Sequence, residues 1–428
     1  MRGSVGVLCY GAAMKPMRSS RLLALAIAAA IVGCTAPAAE SPDGTTTAGD
    51  ATSTSAPADT STETSAADTT TTDASSSSSG PASDDGPPPE PVVMTLIDEA
   101  IYYDGYAPLV DEPVPEGLIR HSNAQYATPL TEELRGQLQS ALIIGVIVGA
   151  RCDNYDRIGS VNLALVPKGA ESYDPARVDR IEVARFITPF MDMNDSPMTV
   201  PYEFPAPDVL ALLRSEEIWA EYDPWFELSI FGVPYAANEE VAGCAGRNDT
   251  SAGTLLLYTD SSEEAPVVDT LVPIAIMERF NNYEEGATDE IGLTRKTIDF
   301  EIPDDTEEAQ LVLITSNHGA NAGGEEYIRR DHFVYVDQEL LLEYKPGRTS
   351  CEPFRMYNTQ GNGIYGPSPR SDEEWQSFSN WCPGDVIDRR IIPLPDPAGA
   401  HQFVIDVPNA TFADAQGDFP FSLYVVAR

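Results

Sequence analysis

From Pro91 to the end, the chain is cut into short stretches of alternating apolar and polar residues separated by clusters of Gly, Pro, Asp and Asn. The stretches run Val161 to Val166, Phe226 to Phe231, Thr254 to Tyr258, Thr297 to Ile302, Gln310 to Thr315, Phe333 to Asp337, Leu340 to Tyr344, Gln402 to Val407 and Phe421 to Ala427. Side chains of a strand point to opposite faces in turn, so a period of two with frequent turn residues specifies half-buried antiparallel strands. The fold expected is all-β, with strands packed as sandwiches. Only Thr131 to Gln139 and Asp208 to Trp219 read as helices. A Ser-Glu-Pro-containing segment within Asp260 to Pro273 separates two sets of strands, which predicts a first sandwich over 91–265 and a second over 266–428. No repeat of fixed period is present.

The residues before Pro91 obey different rules. Lys15, Arg18 and Arg21 precede an apolar run from Leu22 to Val32, which ends in Gly33-Cys34. That run is too short to span a bilayer and has the tripartite form of an export signal. Gly33-Cys34 resembles a bacterial lipobox, although Ile rather than Leu stands at position 31. The expectation is a lipoprotein-type signal over 1–34 that leaves Cys34 as a lipidated N-terminus; an ordinary signal cut nearby is the alternative. Met14 is a second candidate start. Residues 35–90 are almost wholly Ser, Thr, Ala, Asp, Gly and Pro, without aromatics, and cannot bury enough apolar surface to offset their ordering entropy. They read as a disordered linker spanning roughly 40 Å as a coil. Together these features predict an exported bacterial envelope protein, anchored by lipid to the outer membrane or cell surface, and monomeric.

The formal charge of −41 repels phosphate backbones and excludes nucleic acid as a partner. Of six cysteines, Cys152, Cys244, Cys351 and Cys382 remain after Cys9 and Cys34 are assigned to the leader. Three pairings are open, and Cys152 with Cys244 and Cys351 with Cys382 keeps each bridge inside one half. The four histidines, His121, His318, His332 and His401, lack ligand spacing, and Asp192 and Asp195 lack the distal carboxylate of a calcium loop, so neither metal nor cofactor is expected. His318, in Asn317-His318-Gly319, reads as a turn cap, and His332 as the structural start of a strand.

Charge concentrates where the apolar run Ala141 to Ala150 ends in Cys152-Asp-Asn-Tyr-Asp-Arg157. Loops leaving a sheet are the usual place for chemistry on a β scaffold, which makes Asp156 the leading candidate and an acidic turn the bland alternative. Three stretches follow in order: Arg185-Phe-Ile-Thr-Pro-Phe190, Glu326-Tyr327 before Arg330 and His332, and Asn380-Trp-Cys-Pro-Gly384. With Asn358-Thr-Gln-Gly361, the ordered set resembles the bacterial peptide:N-glycanase F family across most of 142–428.

That resemblance implies two adjacent antiparallel jelly-roll sandwiches with a glycoprotein cleft between them, and hydrolysis of the amide joining Asn to N-acetylglucosamine. It assigns Asp156 and Glu326 as catalytic, and Arg157, Tyr155, Tyr327 and Trp381 to the substrate site. Arg157 would keep Asp156 ionised or donate to the substrate carbonyl. This chain departs from the family at Val233, where a glutamate is expected, and at Phe378, where an arginine is expected and for which Arg370 is the nearest replacement. The family's two cysteines flanking the second carboxylate are Gly324 and Ile328. A glycan-binding protein that has lost turnover is the competing expectation, with a structural envelope protein behind it. A copper-dependent monooxygenase of the same architecture lacks the histidines it would need. Trp219, Trp225, Trp375 and Trp381, with Tyr357 and Tyr365, are candidate glycan-stacking rings; core packing is the alternative, and the favoured one for Trp381 beside Cys382.

Overall fold

The computed structural model describes residues 90–262, 267–280, 294–319, 324–361, 364–410 and 417–428. Cys34, the leader and the linker lie outside them, as does part of the expected boundary between the halves. Strands β1 (Val92–Tyr103), β2 (Ile119–Ser122), β3 (Gln125–Pro129), β4 (Ala141–Ala150), β5 (Ile158–Pro167), β6 (Asp179–Ile187), β7 (Thr199–Pro205), β8 (Tyr222–Ile230) and β9 (Asp249–Asp260) build the first half. The second half holds β10 (Thr270–Arg279), β11 (Arg295–Ile302), β12 (Ala309–Thr315), β13 (His332–Val336), β14 (Glu339–Tyr344), β15 (Val386–Ile387), β16 (Arg389–Pro393), β17 (Gly399–Asp406) and β18 (Pro420–Ala427).

These make two adjacent antiparallel jelly-roll sandwiches. The first stacks the order β1-β9-β4-β7 on β15-β6-β5-β8-β3-β2, and the second stacks β10-β18-β12-β16 on β11-β17-β13-β14. Alternation decides which side chains meet. Ile144, Val146, Leu255 and Leu257 face Val161, Leu163, Phe226 and Leu228 in the first core. Leu311, Leu313, Phe421 and Leu423 face Val334, Phe403 and Ile405 in the second. The intervening Val312, Tyr424 and Val426 join the first core, so β12 and β18 are buried on both faces and carry the packing between the sandwiches.

Strand β15 crosses over. Although it lies late in the chain, Val386 and Ile387 pair with Phe186 and Arg185 of β6. Two residues carry no legible period, which hid this strand from the sequence. The Thr131 to Gln139 helix shrinks to α1 (Glu132–Arg135), capped by the Thr131 hydroxyl. The Asp208 to Trp219 helix is broken into α2 (Pro207–Arg214) and α3 (Glu216–Glu221) by Ser215, whose extended backbone ends one helix while its hydroxyl caps the next.

Disulfides join Cys152 to Cys244 and Cys351 to Cys382. The second spans 31 residues; by the chain-entropy account that closure stabilises by about 3–4 kcal/mol. Replacing both cysteines with Ser is therefore expected to lower the unfolding free energy by that amount in a denaturant titration, with the loop between them exposed first to protease.

Candidate active site

The turn carrying Asp156 is held at both ends. Cys152 is fixed by its bridge and by its N–H donating to Asp249 O at 3.0 Å. The Arg157 N–H donates to the Thr188 hydroxyl at 2.7 Å, and Thr188 N–H returns a bond to Arg157 O at 2.8 Å. Between these ends, Asp153 does the bracing. Its carboxylate accepts from Arg157 Nε at 2.7 Å and Nη2 at 3.1 Å, and from the Val233 N–H at 2.8 Å. A Cβ on Gly232 would lie 2.6 Å from Thr250 Cβ and 3.1 Å from Asp153 Oδ2, so only glycine lets this backbone approach so closely. Val233 thus contributes its amide where the family resemblance led one to expect a carboxylate.

Glu326 sits in a short 3₁₀ turn, Glu325–Tyr327. Gly319 N–H donates to its Oε2 at 3.3 Å, and the Tyr327 hydroxyl donates to the same carboxylate. Glu325 beside it is fully buried and paired to Arg330 at 2.8 Å through both oxygens. In place of the missing disulfide, Asn380 Nδ2 donates to Glu325 O at 2.6 Å and Glu326 O at 2.7 Å. Arg329 adds bonds to the carbonyls of Ser379, Arg348 and Trp375.

The fold brings Asp156 and Glu326, from different halves, close enough for their charges to interact. Burial, then the charge of Glu326, push the Asp156 carboxyl from its ordinary 3.8 up to about 8. Glu326 is also raised, by burial, against the opposing pull of Tyr327, Gly319 and Arg157. Arg157 draws Asp156 the other way but does not win, because its guanidinium is engaged by Asp153. It does not keep Asp156 ionised. Like charges brought together in a desolvated cleft cannot both stand, so the pair retains one proton through the neutral range. Glu326, with two donors, is the better home for the charge; Asp156 holds the proton.

The surroundings of the pair come from both sandwiches. Tyr155 lies under Arg157, 5.6 Å from its carbon, and edge-on to Phe190. Asn358, Thr359 and Gln360 stitch the second half to the first, through Asn358 Oδ1 to Phe190 N, Thr359 Oγ1 to Asp192 N, and Gln360 Nε2 to Asn154 O at 3.0, 3.0 and 2.9 Å. Phe378 stacks between Tyr327 and Trp375. Arg370 sits 5.1 Å over the Phe378 ring. Its Nε is tied to Ile364 O and its backbone N–H to Glu352.

Trp381 is not a sugar platform. It is 5% exposed, lies tilted against the His318 ring at 5.5 Å and donates to Asn317 O. The other three tryptophans and Tyr365 are buried as well. Trp219 and Trp375 donate their indole N–H to Leu213 O and Glu352: large rings with one donor are accommodated wherever that donor finds a partner. Tyr357 is half-buried against the first core. His318 bonds Ser316 within its turn, and His332 begins β13 stacked on Tyr344 and Phe419; burial pushes both imidazoles down to about 3. Among the described residues no group of three or more His, Cys, Asp or Glu is arranged to hold a metal ion.

Sequence reasoning missed Asp153, Asn380 and Gly319. Asp153 stood in the same six-residue stretch as Asp156, and its bracing role could have been inferred from the i, i+4 spacing to Arg157.

Twin sandwiches with acidic side chains converging between them define an N-glycanase-type fold. The family models Peptide-N-glycosidase F, N terminal, and Peptide-N-glycosidase F, C terminal, match residues 92–245 and 287–426. The chain belongs to the peptide-N-glycosidase F family. It is similar to the solved structure of PNGF-II, at 18% identity and a TM-score of 0.56 over 79% of this chain, and it spans 65% of the length of that one. It is also similar to PNGase F, a glycosylasparaginase from Flavobacterium meningosepticum, at 15% identity and a TM-score of 0.51, over 79% of this chain and 96% of that one. No curated protein is matched by sequence.

Proposed function

We propose that this chain is an amidohydrolase of N-glycoproteins, acting on the amide between Asn and N-acetylglucosamine. The observation that carries this reading is that Asp156 and Glu326, one from each half, are buried close enough for the charge of Glu326 to raise the Asp156 carboxyl, which is free to accept a proton once pH exceeds about 8. Hydrolysis of an amide needs a carboxylate to take a proton from the attacking water and an acid to return one to the leaving amine. Deprotonated Asp156 takes the water proton as the C–O bond forms, the C–N bond breaks, and the same proton passes to the departing glycosylamine. Glu326 holds the water through its charge. Arg157, whose Nη1 is the guanidinium nitrogen not engaged by Asp153, is placed to donate to the carbonyl oxygen as negative charge grows there. Tyr155, Tyr327 and Arg370 are proposed to contact the first sugars. The export and lipid anchoring of Cys34 remain part of the proposal, and place the enzyme as a monomer on the bacterial envelope with glycoproteins outside the cell as substrates.

The test is mass spectrometry of a denatured N-glycopeptide incubated with the full chain. Conversion of Asn to Asp with release of an intact glycan is expected. Val233 and Phe378 support a second reading, a glycan-binding protein without turnover; glycopeptide bound but unconverted at every pH would establish it over the first.

A further inference from the structure

A cluster of sulfur atoms lies at the foot of the turn that carries Asp156. The Cys152–Cys244 bridge is fully buried and packs with Ala237 and Val241. Met193 joins this cluster while staying partly open to solvent. Its Sδ lies 3.4 Å from Cys244 Sγ and 3.9 Å from Cys152 Sγ, in contact with both bridged atoms at once. Because neither cysteine has exposed surface, Met193 is the first of the three residues that a reagent from solvent meets. Its loop is seated on the bridge through Asn194 Nδ2, which donates to Ala242 O at 3.1 Å.

Arg247 completes the surroundings. Its Nε and Nη2 are engaged by Asp249, and Nη1 lies 3.9 Å from Met193 Sδ. A thioether accepts only weakly from such a donor, whereas the oxygen of a sulfoxide is strongly polar. The apolar cluster therefore suits the reduced side chain, and the guanidinium suits the oxidised one. Exchange at a disulfide requires a thiolate to reach one of its sulfurs, so whatever covers Cys244 governs the rate.

We propose that Met193 is a modification site for hydrogen peroxide, and that its sulfoxide turns from Cys244 toward Arg247 and uncovers the Cys152–Cys244 bridge to reduction. The thioether sulfur gives an electron pair to one peroxide oxygen as the O–O bond breaks and an S–O bond forms. Sulfur is oxidised by two electrons, and the departing hydroxide takes the proton left on the transferred oxygen and leaves as water. The proposal is independent of the amidohydrolase reading.

It is tested on the full chain, treated with hydrogen peroxide, quenched, and pulsed with dithiothreitol and iodoacetamide, with oxidation and alkylation located by peptide mass mapping. Met198 and Met356, both exposed, report the dose. The Cys351–Cys382 bridge, packed among Ile364, Tyr365 and Trp375, is the reference in the same molecule. Conversion of Met193 is expected, with alkylation at Cys152 and Cys244 accelerated on the order of tenfold and the reference bridge unchanged. Met193→Leu, which keeps the apolar cover, should remove the peroxide effect. Met193→Gln, polar as the sulfoxide is, should show the fast rate without peroxide. Met193 untouched at a dose that converts Met198 and Met356 would overturn the proposal. So would sulfoxide at Met193 without faster alkylation, a bridge as slow in Met193→Gln as in the wild type, or acceleration that persists in Met193→Leu or extends to the reference bridge.

Discussion

Asp156→Asn is expected to abolish conversion of an N-glycopeptide, by on the order of 10²–10⁴-fold in rate, while making the protein more stable at alkaline pH. Both effects have one cause. Burial and Glu326 raise the folded-state carboxyl to about 8 from its ordinary 3.8, so folding favours the protonated form. The sign follows directly: a group that binds its proton more tightly when folded contributes its full stability below the unfolded value and loses it as pH rises through about 8. Between those limits wild-type stability falls by up to about 1.4 kcal/mol per pH unit. An amide at this position cannot ionise, so the fall should vanish in the variant, and the two unfolding curves should converge near pH 4. Activity moves the opposite way, rising as pH climbs through about 8 and Asp156 becomes able to accept a proton. Denaturant unfolding across pH, set beside the rate profile of the wild type, checks both. A variant no more stable than wild type above neutral pH would remove the electrostatic account of the pair.

That account also shows which parts of the site were legible in the sequence. Asp156 and Glu326 were singled out through the residues around them, and the charge of Glu326 reaches Asp156 from the opposite half. What Arg157 does was not legible. Residue type and adjacency suggested a partner for Asp156, but the guanidinium turns to Asp153, because the i, i+4 spacing within a tight turn satisfies two of its nitrogens at once. For the tryptophans, core packing is favoured by the sequence only for Trp381, which is buried; the other three are buried as well. Composition marks an aromatic ring as a possible sugar platform, and only the packing around Trp375 and Trp381 shows them to be walls. Strands were read well where one face is wet, as in β11, where exposed and partly buried residues alternate. Strand β18 was also found, although all eight of its residues are buried, a consequence of its place between two cores. β1, β2, β3, β6, β7, β10, β15 and β16 were not read as strands: bulges break the period of two in β1 and β10, seven successive residues of β6 are buried, and β15 has only two residues.

Removing one partner of the Glu182–Arg185 pair is expected to cost about 3–5 kcal/mol. Both side chains are fully buried, bonded at 2.7 and 2.6 Å between Nε and Oε1 and between Nη2 and Oε2. Arg185 belongs to the first sandwich, yet its Nη1 donates to Ser316 Oγ at 2.9 Å and Pro420 O at 2.8 Å in the second. Arg185→Leu would strand the Glu182 charge and two acceptors across the seam. Changing both residues to Leu should recover most of the loss, since a desolvated ion pair contributes little net stability against a well-packed apolar replacement. What the double change should not recover is the placement of the carboxylates. Ser316 also bonds His318, whose neighbour Gly319 donates to Glu326, so the pair reaches Glu326 through three short steps. Unfolding titrations of the single and double variants, with the pH midpoint of Asp156 followed by carbon NMR of its carboxyl, separate the two roles. A double variant restored in stability but with that midpoint moved toward 3.8 would assign the buried pair to holding the sandwiches in register, whereas an unmoved midpoint would reduce it to a replaceable part of the core.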